Sequence, residues 1–139
     1  MKAFLLFLTF AICTSLMAQN DQWKVTHNAK VRLSTSEENE KNSIEIKTAD
    51  VNKKGLLSIA FKEGVPQPDW QRELIIFDPA DNELLKQKGS LLKVQNADLK
   101  KLFGKSKTLM VYTMSLPKDP NLAATVRVRR VHLCTLVLK

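Results

Sequence analysis

The chain has 139 residues, 44% hydrophobic and 26% charged, with 22 Lys and Arg against 14 Asp and Glu for a net charge of +8. That length is ample for one hydrophobic core and short for two. One of its two cysteines, Cys13, falls in a segment expected to be removed; this excludes an intramolecular disulfide from the mature chain and leaves stability to the core alone.

Residues 1–18 have the layout of a cleavable signal peptide. Lys2 supplies one positive charge, Ala3 to Leu16 form an almost unbroken apolar run, and Ala18 is a small residue just before the polar Gln19-Asn20-Asp21-Gln22. The run is shorter than the roughly 20 apolar residues of a spanning helix, so no transmembrane helix is expected after processing. Ile12 before Cys13 does not suit lipid attachment. The expectation is export, to the periplasm or the exterior, of a single domain covering 19–139. No Asn-x-Ser/Thr acceptor occurs, which fits a bacterial envelope better than a eukaryotic ectodomain. Without Lys2 the mature chain keeps 21 Lys and Arg against 14 acids, or +7. Export takes it away from genomic nucleic acid, and the spread of basic residues along the chain serves solubility.

From Trp23 onward, short apolar alternations separated by turn residues predict an antiparallel β structure. Trp23, Val25 and His27 alternate with Lys24 and Thr26, Asn28-Ala29 forms a tight turn, and Lys30 to Leu33 resumes the alternation. Asn tolerates the left-handed backbone of such a turn, Ala poorly. Ser34 to Asn42, with Glu37, Glu38 and Glu40, reads as a solvated loop. Ile44 and Ile46, then Leu57, Ile59 and Phe61, mark two further strands, and Gly64 to Asp69 form a Pro-restricted loop. The run Leu74-Ile75-Ile76-Phe77 predicts a central strand covered on both faces. Asp78-Pro79-Ala80-Asp81-Asn82 is a turn, followed by short strands at Leu84-Leu85 and Leu91 to Val94. The period then changes: with Asn96 as cap, Leu99, Leu102 and Phe103 on one face and Gly104 as terminator, one short helix is predicted over about 96–104. Thr108 to Leu116 and Ala124 to Leu138 read as two long paired strands, with a bulge at Arg129-Arg130 where the alternation breaks. The sum is an all-β, antiparallel sandwich of about 7–9 strands that resembles the immunoglobulin-like architecture, with the helix crossing between sheets. That resemblance carries no function with it.

Tests for chemistry give little. There is no Gly-x-Ser-x-Gly elbow, and Cys134 sits in an apolar strand, two residues from His132 and so on the same face, where a thiolate is disfavoured. His27, His132, Cys134, Met110 and Met114 supply the residue types of a blue-copper site but not its spacing. Asp78, Asp81 and Asn82 are weak calcium candidates that turn chemistry already explains. No catalytic residue, cofactor or metal is expected. Trp70, after the Pro-rich loop and before Arg72, is the aromatic best placed as an exposed platform, although packing is the commoner role. Arg127 and Arg129 would project to one side of the last strand and could hold carboxylate or sulfate groups. The leading expectation is thus an exported, non-catalytic module that binds a protein or an anionic glycan of the envelope, through Arg127, Arg129, Trp70 and Arg72. A small secreted hydrolase or a metal or lipid carrier is the alternative. Mass spectrometry of the exported protein should show cleavage within a residue or two of Ala18; an intact Met1 on a membrane-free exported form would refute the signal.

Overall fold

The structure is a computed structural model that describes residues 20–104 and 106–139. The expected signal segment, 1–18, lies outside the described residues. Nine strands and three short helices follow in the order β1 (Gln22–His27), β2 (Lys30–Thr35), β3 (Ser43–Ile46), α1 (Thr48–Val51), β4 (Leu56–Lys62), β5 (Trp70–Phe77), β6 (Glu83–Lys88), β7 (Leu91–Gln95), α2 (Asn96–Leu102), β8 (Thr108–Pro117), α3 (Pro120–Ala123) and β9 (Val131–Leu138). They form a four-stranded sheet, β2-β1-β4-β7, and a five-stranded sheet, β3-β9-β8-β5-β6. With β1, β4 and β7 taken as A, B and E, and β5, β6, β8 and β9 as C, C′, F and G, the two sheets have the immunoglobulin order, and β2 and β3 are edge additions. Among the described residues no helix is long and apolar enough to cross a membrane.

The strand periods place the core. Val25, Leu57, Ile59, Leu92 and Val94 point inward from the four-stranded sheet. Ile44, Ile46, Leu74, Ile76, Leu109, Val111, Cys134 and Leu136 meet them from the other, and Leu99 and Phe103 close one side from the region of α2. β5 lies between β8 and β6 with Leu74 to Phe77 all buried, as the four-residue apolar run requires. α2 does carry the chain from one sheet to the other.

Five expectations need correction. The sandwich is not wholly antiparallel: β3 adds parallel to β9, and the backbone bonds between Thr48, Ile46 and Lys139 fix that edge. Residues 124–130 are not strand; a turn that follows α3 and an irregular stretch occupy them, and the pairing of β9 with β8 begins only at Val131. The bulge falls at Leu133, since Cys134 opposes Val111 while His132 opposes Tyr112. It turns His132 and Cys134 to opposite faces, Cys134 into the core and His132 outward against Tyr112. Leu133, left without a partner on β8, gives its carbonyl to the Trp23 indole N–H at 3.0 Å, a buried bond that ties the sheets together. Finally, Asn96 is not the helix cap. Gln95 holds that position without a side-chain bond, and the Asn96 side chain turns inward.

There it becomes a buried hub. Asn96 Oδ1 lies 2.9 Å from His27 Nε2. Its amide nitrogen donates to Asn28 Oδ1 at 2.9 Å, the Lys53 carbonyl at 2.9 Å and the Asp50 carbonyl at 3.1 Å, two protons shared among three acceptors. Those acceptors identify the nitrogen, so the oxygen faces His27 and the imidazole must carry its proton on Nε2. Asn28 donates in turn to the Asp50 carbonyl. The β1–β2 turn is held by this network: Asn28 and Ala29 both have positive φ, 50° and 64°. Gly55 is obligatory, because a Cβ there would lie 2.0 Å from Asn28 Oδ1. Replacing Asn96 by Ala strands several buried polar groups and is expected to cost about 3 kcal/mol. Gly55→Ala should fall in the same range, whereas Ala29→Gly should raise stability by about 1 kcal/mol by relieving the left-handed strain. Chemical-denaturation midpoints measure all three; an unchanged midpoint for Asn96→Ala would mean the hub contributes nothing.

Candidate anion-binding site

The residues singled out in the sequence are dispersed and mostly engaged. Arg129 is bonded to Glu38. Arg127 is exposed on the same irregular stretch, so the expected two-arginine strand face does not form. Arg130 is the inward residue of this segment: its guanidinium lies 4.6 Å from the Phe77 ring centroid and 4.4 Å from that of Tyr112, and its Nη1 donates to Asp81 at 2.8 Å. Residues 124–130 thus strap the outer face of the five-stranded sheet. Arg72 is internal as well, stacked 4.0 Å over Phe61 and bonded to Glu63 and Thr113 at 3.0 Å each. With the Trp23–Phe61 stack, it plugs the end of the sandwich opposite the hub. Trp70 is half-buried at the start of β5, paired with Pro117. Asp78 closes its turn by accepting from the Asn82 backbone and side chain at 2.9 Å, and Asp81 is taken by Arg130. His27, in the hub, lies on the other sheet from His132 and Cys134. Among the described residues no three His, Cys, Asp or Glu side chains converge as metal ligands would.

Two titrating groups are tuned by these contacts. Burial drives the Cys134 thiol up to about 12, so at neutral pH it is a protonated core side chain rather than a nucleophile. Glu38 is subject to opposing effects. Burial raises its value, but the Arg129 hydrogen bond, the His132 backbone N–H and the nearby positive charge together prevail and hold it below the ordinary range. Glu38 is therefore not the freely solvated loop residue expected. It stands with Glu40, Met110, Tyr112, His132 and Thr135 around a cleft of about 520 Å³.

The unengaged positive charge lies elsewhere. β1, β2, β4 and β7 contain Lys24, Lys30, Arg32, Lys62 and Lys93 and not one Asp or Glu, so the entire four-stranded sheet is acid-free. At the hub end, the β1–β2 turn and α1 enclose a cleft of about 480 Å³ lined by His27, Asn28, Lys30, Arg32, Lys47, Asp50 and Lys53. Each cation has a structural reason to be there. Arg32 is the extra residue of a bulge against β1 and reaches the Glu45 carbonyl at 2.6 Å, which orients its guanidinium without neutralising it. Lys47 precedes α1, and Lys30 follows the strained turn. The Lys53 side chain is 69% exposed and meets Asp50 at 3.5 Å, the one ion pair at the cleft among the described residues. Four cations facing one carboxylate around a concavity can hold an anion. Sequence reading missed this site because its members lie on two separate stretches, 27–32 and 47–53, that only the fold brings together.

Comparison of the chain with protein-family models, with curated proteins and with solved structures finds no match in any of the three.

The Glu38 clip makes a pH signature. A carboxyl with a depressed native value stabilises the fold above its unfolded value and loses that contribution as pH falls through the native value. Denaturation midpoints of the parent and Glu38→Gln should therefore differ by a constant amount at neutral pH and converge only in acid below the ordinary Glu range. A gap that stays constant through that acid range would contradict the clip.

Proposed function

We propose that this chain is an exported, non-catalytic binding module that holds an anionic partner at the basic end of its sandwich. The observation that carries this reading is the cleft of Lys30, Arg32, Lys47 and Lys53, built on the rigid Asn96 hub. The N-terminal apolar segment supports export. The enclosed thiol of Cys134 and the bonded His27 support a non-catalytic role, since the groups that might have done chemistry are committed to structure. The cleft suits an anion better than the arginines do, since Arg129 and Arg72 have carboxylate partners and Arg127 stands alone on the irregular stretch.

Binding of a sulfated disaccharide, followed by titration calorimetry, tests this reading. Affinity should fall steeply as ionic strength rises. A folded Lys30→Gln, Arg32→Gln, Lys47→Gln variant should lose about tenfold or more, each charge-assisted hydrogen bond being worth roughly that factor. Arg127→Ala, Arg129→Ala should bind like the parent. If the triple variant retains parental affinity, or the arginine pair alone abolishes it, the cleft is not the site.

A further inference from the structure

The cleft accounts for only two of the five cations on the four-stranded sheet; the other three lie on its open face. Burial alternates cleanly along the strands, so Gln22, Lys24 and Thr26 of β1, Ser58, Ala60 and Lys62 of β4, and Leu91 and Lys93 of β7 point away from the core. Registers fix their neighbours. Lys24 lies between Ser34 and Ala60, Thr26 lies beside Ser58, Ser58 beside Lys93, and Gln22 beside Lys62. Lys24 and Lys62 are therefore diagonal neighbours about 8 Å apart at the backbone. From the level of Lys30 to that of Lys62 the track runs five residues, or about 17 Å. The three lysines have no carboxylate within ion-pair distance among the described residues. Between them stand Ser34, Thr26, Ser58, Ala60 and Gln22, with Leu91 at the edge, and a shallow depression of about 280 Å³ sits beside Ser34 and Ala60.

This face differs from its opposite. The outer side of the five-stranded sheet is covered over Phe77 and Tyr112 by the Arg130 strap; among the described residues the four-stranded sheet has no such cover. Its composition also narrows the occupant. Protein interfaces place apolar anchors at the centre and polar groups at the rim, but here the exposed apolar residues, Val31 at 54% and Leu91 at 43%, sit on the two edge strands and the centre is polar. Single-stranded nucleic acid calls for outward aromatic platforms; Trp23 and Phe61 reach the floor of that depression but are almost wholly buried, at 4% and 6% exposure. Flexible point charges alternating with hydroxyl and amide groups match a chain that alternates carboxylates with hydroxyls.

We propose that the anionic partner is a linear acidic polysaccharide, which lies along the open face of the four-stranded sheet from the Lys30–Arg32 cleft past Lys93 and Lys24 to Lys62. This rests on the anion-binding reading of the cleft and adds to it the partner's class and path. A polymer engages several sites at once, so affinity must grow with length until the track is filled.

Oligomers of a linear uronate polymer, from dimer to dodecamer, provide the probe, with binding followed by calorimetry on the full mature protein. For the parent, affinity should rise roughly tenfold from dimer to octamer and then level off. Lys24→Gln, Lys62→Gln, Lys93→Gln, with its melting temperature unchanged, should bind the dimer like the parent and lose the length dependence. Substituting Lys30, Arg32 and Lys47 instead should weaken the dimer. A face variant that keeps the full length dependence overturns the track while leaving the cleft standing. A parent that binds neither dimer nor octamer overturns both. Tighter binding, at equal ionic strength, to phosphatidylglycerol vesicles or to single-stranded DNA of matched charge than to the octamer overturns the polysaccharide assignment.

Discussion

The buried amide of Asn96 is the contact on which most of this molecule's shape depends. One side chain joins the end of β1, the β1–β2 turn, the carbonyls of α1 and its following loop, and the start of α2. An apolar residue could fill that space but could not satisfy two carbonyls, an amide and an imidazole at once, and leaving them unpaired would be costly. The hub lets Ala29 keep a left-handed backbone that its side chain disfavours. It also excludes any side chain at Gly55. The cations around the adjoining cleft owe their positions to it, because Lys30 and Lys53 leave the elements it joins.

Charge in this protein is sorted by sheet rather than by sequence. The five-stranded sheet carries acids on β3, β5 and β6, and its outer face is spanned by a strap in which Arg129 is matched to Glu38 and Arg130 to Asp81. The four-stranded sheet carries cations alone. An acid-free face repels itself at modest cost when solvent-exposed and screened, and it is unsuited to pairing edge to edge with a copy of itself, since the lysines and the Arg32 bulge guard the edges.

Much of the fold could be read from the chain. Period-two alternation in β1 and β4, the apolar run of β5 and the helical spacing of Leu99 and Phe103 are local signals, and local signals survive without a structure. The strap shows where this ends. Val126, Val128 and Arg130 are half-buried and Arg127 and Arg129 exposed, so the alternation was real; but alternation reports a covered side, not a hydrogen-bonded neighbour, and Arg130 finds two aromatic rings instead of a strand. Asn96 sits where a cap belongs, and only its tertiary partners show otherwise. The acid-free sheet was visible segment by segment, yet its meaning required knowing that β1, β2, β4 and β7 share a sheet, a non-local fact. The bulge at Leu133 left no mark in the sequence pattern, and the one expected at Arg129-Arg130 fell outside the strand.

The position of β9 between β3 and β8 has a temporal side. The strand that comes last in chain order is interior to its sheet, and the buried bond that ties the sheets joins Trp23 to Leu133 across 110 positions. Closing so long a loop is slow, and nothing earlier in the chain can substitute for the missing strand. A chain emerging N-terminus first from a ribosome or a translocation pore therefore holds an unfilled gap in its larger sheet until β9 is free. The order of the strands along the chain thus makes the larger sheet wait on β9, whatever has already paired before it.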